Sequence, residues 1–190
     1  MLDTPTLYRL AGWSSALAIA MLLISGVALA LFFSIGEPWG SINDFFIVLT
    51  VLLLILPMLA IDRMAVGQAP WLRVVTIAAV AGAVLIAVGQ SLLILRVIGL
   101  YDSYATGGIG LLPILVWWIA LIVLAFGVGA VPQLIGWTAA AMLATIVLFS
   151  LIAAVTFGPA MWVASIVLLL AISTWMAVLA RDLLGRVPAA

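Results

Sequence analysis

The chain has no cysteine and no histidine, and only 6% of its 190 residues are charged. Without cysteine there is no disulfide and no thiolate ligand for a metal or an iron–sulfur cluster. Without histidine there is no imidazole ligand, no axial histidine for haem and no histidine-based nucleophile pair. Chlorophyll or carotenoid binding stays open, since neither strictly needs a histidine. Lysine is missing too: the six basic residues are all arginine, balanced by six acids to a net charge of zero. Nucleic acid is therefore not expected as a partner, and no polybasic segment is present to hold anionic lipid.

A soluble chain carries roughly 25% charged and 45–50% apolar residues. Here 69% are hydrophobic, more than a water-facing surface accommodates. The apolar residues gather in six runs: Leu10–Phe33, Phe45–Ile61, Trp71–Leu95, Ile109–Phe126, Leu134–Phe157 and Met161–Ala180. Crossing ~30 Å of hydrocarbon takes about 20 apolar residues at 1.5 Å each. The expected fold is therefore an all-α membrane protein, a six-transmembrane-helix bundle forming a single domain over residues 1–190. Arg9 precedes the first run and Ala28-Leu29-Ala30 looks like a signal-peptidase site. Signal h-regions span only ~7–15 residues, however, so a retained first helix is expected.

Arginine placement predicts orientation. Arg9, Arg63, Arg73, Arg181 and Arg186 lie on one side of the six spans, and Arg96 alone lies on the other. The positive-inside rule then puts both termini in the cytoplasm. Trp13, Trp71, Trp137 and Trp175 would mark the inner interface, and Trp39 and Trp162 the outer one. Preference for arginine over lysine, with abundant Ala, Val and Gly, hints at a GC-rich bacterial source and so at a bacterial inner membrane.

Two prolines fall inside spans. Pro57 removes the hydrogen bond to the carbonyl of Leu53, which predicts a kink in the second helix. Pro113 is placed near the start of the fourth helix, where proline is cheap. Thr106-Gly107-Gly108-Ile109-Gly110 reads as a flexible turn into that helix, because a phosphate loop would need a lysine and a preceding strand. Small residues recur at four-residue spacing in Gly12/Ala16/Ala20, Ala78/Gly82, Ala140/Ala144 and Ala160/Ala164. Such patches let backbones approach closely within lipid.

The three outgoing helices begin Pro5-Thr6-Leu7, Pro70-Trp71-Leu72 and Pro132-Gln133-Leu134. Leu10-Ala11-Gly12-Trp13-Ser14 also echoes Leu134-Ile135-Gly136-Trp137-Thr138. Three related helical hairpins are one reading. The other is that proline favours any first helical turn and tryptophan any interface.

Polar chemistry is concentrated in the outer loops. Glu37, Asp44, Asp102 and Arg96, with Tyr101 and Tyr104, are expected at the mouth of an outward-facing site. Arg96 is expected to pair with one of those acids. Ser41 followed by Asp44 matches a capping box, a purely structural use of the same residues. Counting inward at 1.5 Å per residue puts Gln90 about 9 Å beneath Arg96 and Trp117 about 10 Å beneath Gly110. Thr50, Ser150 and Ser25 fall at comparable depths. A buried indole N–H needs an acceptor, so Gln90 is expected to accept from Trp117 or Trp118. The alternative makes Gln90 interhelical glue worth ~1 kcal/mol. On the cytoplasmic side, Asp62-Arg63 and Arg181-Asp182 are expected to cross-pair between the second and sixth helices.

Leu10-Ala11-Gly12, Pro38-Trp39-Gly40-Ser41-Ile42-Asn43-Asp44, Gln90 late in the third helix and Pro132-Gln133-Leu134-Ile135-Gly136-Trp137 together carry a resemblance. The chain resembles small six-helix bacterial membrane proteins of the domain-of-unknown-function type. That resemblance implies architecture and no catalytic residue. The leading expectation is a non-enzymatic integral membrane protein, structural or accessory, packing in the bilayer as a homo-oligomer or within a larger complex. The second is a carrier or binding protein for an uncharged or lipidic molecule, using a vestibule near Gln90. An intramembrane enzyme comes third, because only Glu37, Asp44 and Asp102 could serve as acid or base and all three are placed in loops. A proton- or sodium-coupled transporter is disfavoured by the lack of a mid-span carboxylate. No cofactor is expected, and the surrounding membrane lipids, including a bound lipid, are the expected small-molecule partners. An outward-open polar cavity bounded by Gln90 would favour the second expectation, and a closed interior the first.

Overall fold

The computed structural model describes residues 3–155 and 159–187, with side chains described outside 153–162. Helix α1 (Thr4–Ile35) is followed by α2 (Trp39–Leu53), α3 (Ile55–Ala65), α4 (Leu72–Ile94) and α5 (Leu100–Val123). A π-helical turn, Leu124–Val128, prolongs α5, and α6 (Gln133–Val155) and α7 (Pro159–Gly185) complete the bundle. Six helical segments are long and apolar enough to cross a membrane, with α2 and α3 together forming the second, which fits a multi-pass membrane protein. Phe157, the expected end of the fifth span, lies outside the described residues, as do the side chains of Ala160 and Trp162.

The spans pack as a ring. Consecutive spans are neighbours, and α7 returns to α1 to close the circuit. The centre is filled by Trp117, Trp175, Met58, Met142, Met176 and Leu121, all fully or almost fully buried. In lipid there is no hydrophobic drive between helices, so association rests on close packing and interhelical hydrogen bonds. The Ala78/Gly82 patch supplies the closest approach. A Cβ added at Gly82 would collide with the Gly110 carbonyl oxygen and lie 2.7 Å from Pro113 Cγ. One added at Gly110 would lie 2.6 Å from the Gly82 carbonyl oxygen. Gly12 does the same for α1 and α7, where an added Cβ would lie 2.6 Å from Leu184 Cγ.

The expected kink is present. The second span breaks at Leu54, between α2 and α3. Pro57 cannot donate to the Leu53 carbonyl, and the Ser14 hydroxyl on α1 donates to it instead. The broken backbone bond thus becomes an interhelical tie.

Several expectations are corrected. The fourth helix starts at Leu100 rather than Ile109, so Thr106–Gly110 is helix and not a turn. Three glycines in five residues argued for a loop. Two of them meet nothing, while Gly110 allows the contact with α4, and tertiary packing overrides the weak helix propensity. Pro113 is consequently interior, where it leaves the Ile109 carbonyl without its usual donor. The second helix starts at Trp39, which places Ser41 inside its first turn. Ser41 is not the cap: its backbone N–H and hydroxyl both donate to Glu37 Oε2, at 3.4 Å.

At the arginine-rich end, the charges do not cross-pair between the second and sixth spans among the described residues. Asp62 pairs with Arg73 of α4 at 3.2 Å, and Asp182 of α7 with Arg186, four residues on and just past the helix end, at 2.8 Å. Arg73 follows a short connection and reaches back to α3, whereas an i,i+4 pair forms locally at no docking cost. Trp13 and Trp137 remain exposed as interface residues would be, but Trp175 is fully buried at the bundle centre.

Candidate functional site

At the end of the bundle opposite the five arginines, the α1–α2 hairpin and the α4–α5 hairpin enclose a cavity of about 720 Å³. That is within the ~300–1,000 Å³ range of small-molecule pockets. Its polar lining is Glu37 just before α2, Ser41, Asn43 and Asp44 from the start of α2, Gln90 from α4, Arg96 beyond it, and Ser103 and Tyr104 from α5. Leu29, Phe32, Phe33, Ile47, Leu93 and Ile94 are among the apolar walls. Five of the nine residues singled out from sequence therefore meet in one place: Glu37, Asp44, Gln90, Arg96 and Tyr104.

The other four are placed elsewhere. Tyr101 is 90% exposed and outside the lining. Asp102 caps α5, its Oδ2 accepting from the backbone N–H of Gly99 at 3.4 Å. Trp117 and Trp118 are far from Gln90, and neither donates to it. Trp117 Nε1 donates instead to Thr76 Oγ1 at 3.2 Å, near the opposite end of α4. The physical reason is the position of the helix start. Nine residues of unrecognised helix displace Trp117 by about 14 Å along the axis, into the arginine-rich half of the bundle. There both indoles meet Trp175 edge-on, with ring centroids 6.0 Å and 5.7 Å apart.

Polar contacts around the cavity are unevenly satisfied. Ser25 of α1 donates to Asn43 Oδ1 at 2.7 Å, and Asn43 Nδ2 donates to Asp44 Oδ1 at 3.1 Å. This chain orients the Asp44 carboxylate from the α1 side. Glu37 folds back over the start of α2, which is possible because residue 40 is glycine: a Cβ there would lie 2.8 Å from Glu37 Oε1. Gln90 Oε1 and Ser103 Oγ are buried in the lining without a hydrogen-bond partner among the described residues, as are Asp62 Oδ1, Ser173 Oγ and the Trp118 and Trp175 indole N–H groups elsewhere. Most buried polar atoms in native proteins are satisfied, so such an orphan is informative. Thr50, Ser91 and Ser150 bond back to their own helices at 2.7 to 2.9 Å.

Arg96 does not make the expected ion pair among the described residues. It has a positive φ of 58°. Its backbone explains why: Arg96 N donates to the Leu93 carbonyl and Val97 N to the Leu92 carbonyl, each at 2.9 Å. This is a Schellman ending of α4, with arginine at the left-handed position where glycine is usual. Holding a non-glycine residue there costs roughly 1–2 kcal/mol.

Asn43 and Ser103 were not anticipated as lining residues. Asn43 was read as loop between Gly40 and the second run. Recognising Trp39 as the helix start would have put Asn43 and Asp44 on its first turns, beside Ile47. Ser103 carried no sequence signal, because the turn assignment hid the whole first part of α5.

No family model matches this sequence, no curated protein matches it and no solved structure matches it. The resemblance noted above therefore rests on six apolar helices alone.

Proposed function

We propose that this chain is a membrane carrier or binding protein for an amphipathic molecule, held in the cavity between the α1–α2 and α4–α5 hairpins. The observation that carries this reading is Gln90. Its amide lines a 720 Å³ cavity and its buried oxygen lacks a partner, so a ligand donor there would satisfy a group that the protein leaves unpaired. The walls above and beside it are apolar and the rim is charged, which suits a molecule with a polar head and a greasy body. We take this role to be non-enzymatic, in keeping with the expectation from sequence, and read the lining groups as those of a binding site. The accessory reading is supported by an aliphatic flank over α6 and α7, including Leu148, Leu151, Val163 and Ile166. Acyl chains cover such a flank equally well, so the cavity decides the preference.

Native mass spectrometry of the gently solubilised protein tests the proposal. Wild type is expected to carry a retained lipid mass. Gln90→Leu should lower its occupancy about fivefold, the equivalent of ~1 kcal/mol. Bare wild-type protein under conditions that keep the fold would sink the reading.

The orientation belongs to the same proposal: both termini cytoplasmic in a bacterial inner membrane, with the cavity facing outward. The absence of native cysteine makes a direct check simple. A membrane-impermeant maleimide should label Ser34→Cys in intact cells, and Gln68→Cys only after the membrane is opened. The reverse pattern would invert the topology.

A further inference from the structure

We infer that the molecule held in this cavity is a lipid with a zwitterionic phosphoethanolamine head, its phosphoryl group on Arg96 and its ammonium on Glu37 and Asp44. This rests on the reading of the cavity as a binding site and specifies its ligand.

Three observations converge. The first is the charge arrangement. Two carboxylates and one guanidinium line the same cavity, and Arg96 pairs with neither acid. Complementary charges that share a small space without closing on each other leave room for a ligand carrying both signs. The guanidinium fork matches phosphate oxygens. Here arginine occupies the left-handed end of α4, where glycine would fit without strain.

The second is the hydrogen-bonding sense of the unused atoms. Glu37 accepts through Oε2 and Asp44 through Oδ1, and each keeps its other oxygen without a hydrogen bond among the described residues. Gln90 Oε1 is a further acceptor without a partner. The buried Gln90 oxygen calls for a donor, and the two open carboxylate oxygens, nearer the solvent, can accept from the same group. A primary ammonium supplies three N–H donors, whereas the quaternary ammonium of choline supplies none and is recognised through aromatic faces. A purely anionic glycerol head would meet Arg96 but bring its charge beside two carboxylates.

The third is the setting. The polar groups lie at or near the ends of spans α2, α4 and α5, where a bilayer crossed by those spans would carry its lipid heads, while Leu29, Phe32 and Ile47 continue the lining with apolar surface. A membrane lipid would bring a head to the polar groups and a tail to the apolar walls. A soluble zwitterion would bring no tail for those walls.

The full-length protein, delipidated in detergent, would be offered phosphatidylethanolamine, phosphatidylcholine and phosphatidylglycerol of identical acyl composition, with occupancy read by native mass spectrometry. Wild type should prefer phosphatidylethanolamine by about tenfold over either competitor. Glu37→Gln with Asp44→Asn should abolish discrimination against phosphatidylcholine. Arg96→Gly should lower phosphatidylethanolamine occupancy while leaving the melting temperature unchanged or raised, because glycine suits that backbone; misfolding is thereby separated from lost binding. Equal occupancy of the three lipids in wild type would overturn the head-group assignment and leave the binding site standing. No occupancy by any of them would overturn the site itself. Displacement of bound lipid by soluble phosphoethanolamine at matched concentration would overturn the lipid as the source of the head group.

Discussion

Gly82→Leu is expected to prevent recovery of a folded, monodisperse protein. The side chain would enter the seam between α4 and α5, where even a Cβ meets the Gly110 carbonyl and the Pro113 ring. Overpacking a core costs typically 1–3 kcal/mol when side chains can shift. Here the nearest obstacle is backbone, so relief requires the helices to part, and the cost lies at or above the top of that range. Parting α4 from α5 would also widen the cavity that both helices line, so bound lipid should be lost with the fold. Gly107→Leu is the matched control. It sits on the same helix as Gly110, with nothing within 4 Å of an added Cβ. Its detergent-solution melting temperature and elution profile should stay near wild type. Equal tolerance of both variants would show that the seam does not hold the bundle together.

Trp175→Ala should be the most damaging truncation elsewhere. Its indole is fully buried and meets both Trp117 and Trp118 edge-on. Large-to-small changes of this kind cost 3–5 kcal/mol in soluble cores. Part of that figure is transfer from water, which a lipid-solvated unfolded state does not provide. The remaining loss is packing: dispersion contacts and two aromatic pairs worth ~0.5–1.5 kcal/mol each. About 3 kcal/mol is therefore expected, read as a shift in the detergent-denaturation midpoint. Trp13→Ala, exposed at 63%, should move that midpoint by well under 1 kcal/mol. A Trp175→Ala midpoint within error of wild type would remove the tryptophan cluster as an organising element.

The two expectations differ in how they were reached. Gly82 was visible in the sequence as half of a small-residue pair, and the structure supplied its partner, Gly110. Trp175 was misread. Its grouping with Trp13, Trp71 and Trp137 makes it an interface residue by sequence, but position along a helix gives depth and not direction. Which face of α7 turns inward depends on how α1 and α6 pack against it.

The cavity shows the same division. Glu37, Asp44, Gln90, Arg96 and Tyr104 were all legible as exceptions in an apolar chain, because polar groups at a span's end stand out against hydrocarbon. Trp117 and Trp118 were equally conspicuous, yet their expected depth followed from a helix start set nine residues late. Glycines at 107, 108 and 110 were weighed by their poor helix propensity. In lipid that propensity matters less than satisfying every backbone N–H and carbonyl within the segment.

The amino-acid sequence by itself determined the class, the number of spans, the break at Pro57 and the side of the bundle that gathers arginine. These follow from one-dimensional quantities: hydropathy over about 20 residues, a missing N–H, and charge counted loop by loop. Only the tertiary structure decided which polar residues share a cavity, that Ser14 takes up the Leu53 carbonyl, that Thr76 and not Gln90 receives the Trp117 proton donor, and that Arg96 stands unpaired at a left-handed helix end. Each of these depends on rotation about a helix axis or on where a helix begins. A shift of a single residue turns a side chain by about 100°, and no running average of hydropathy resolves that.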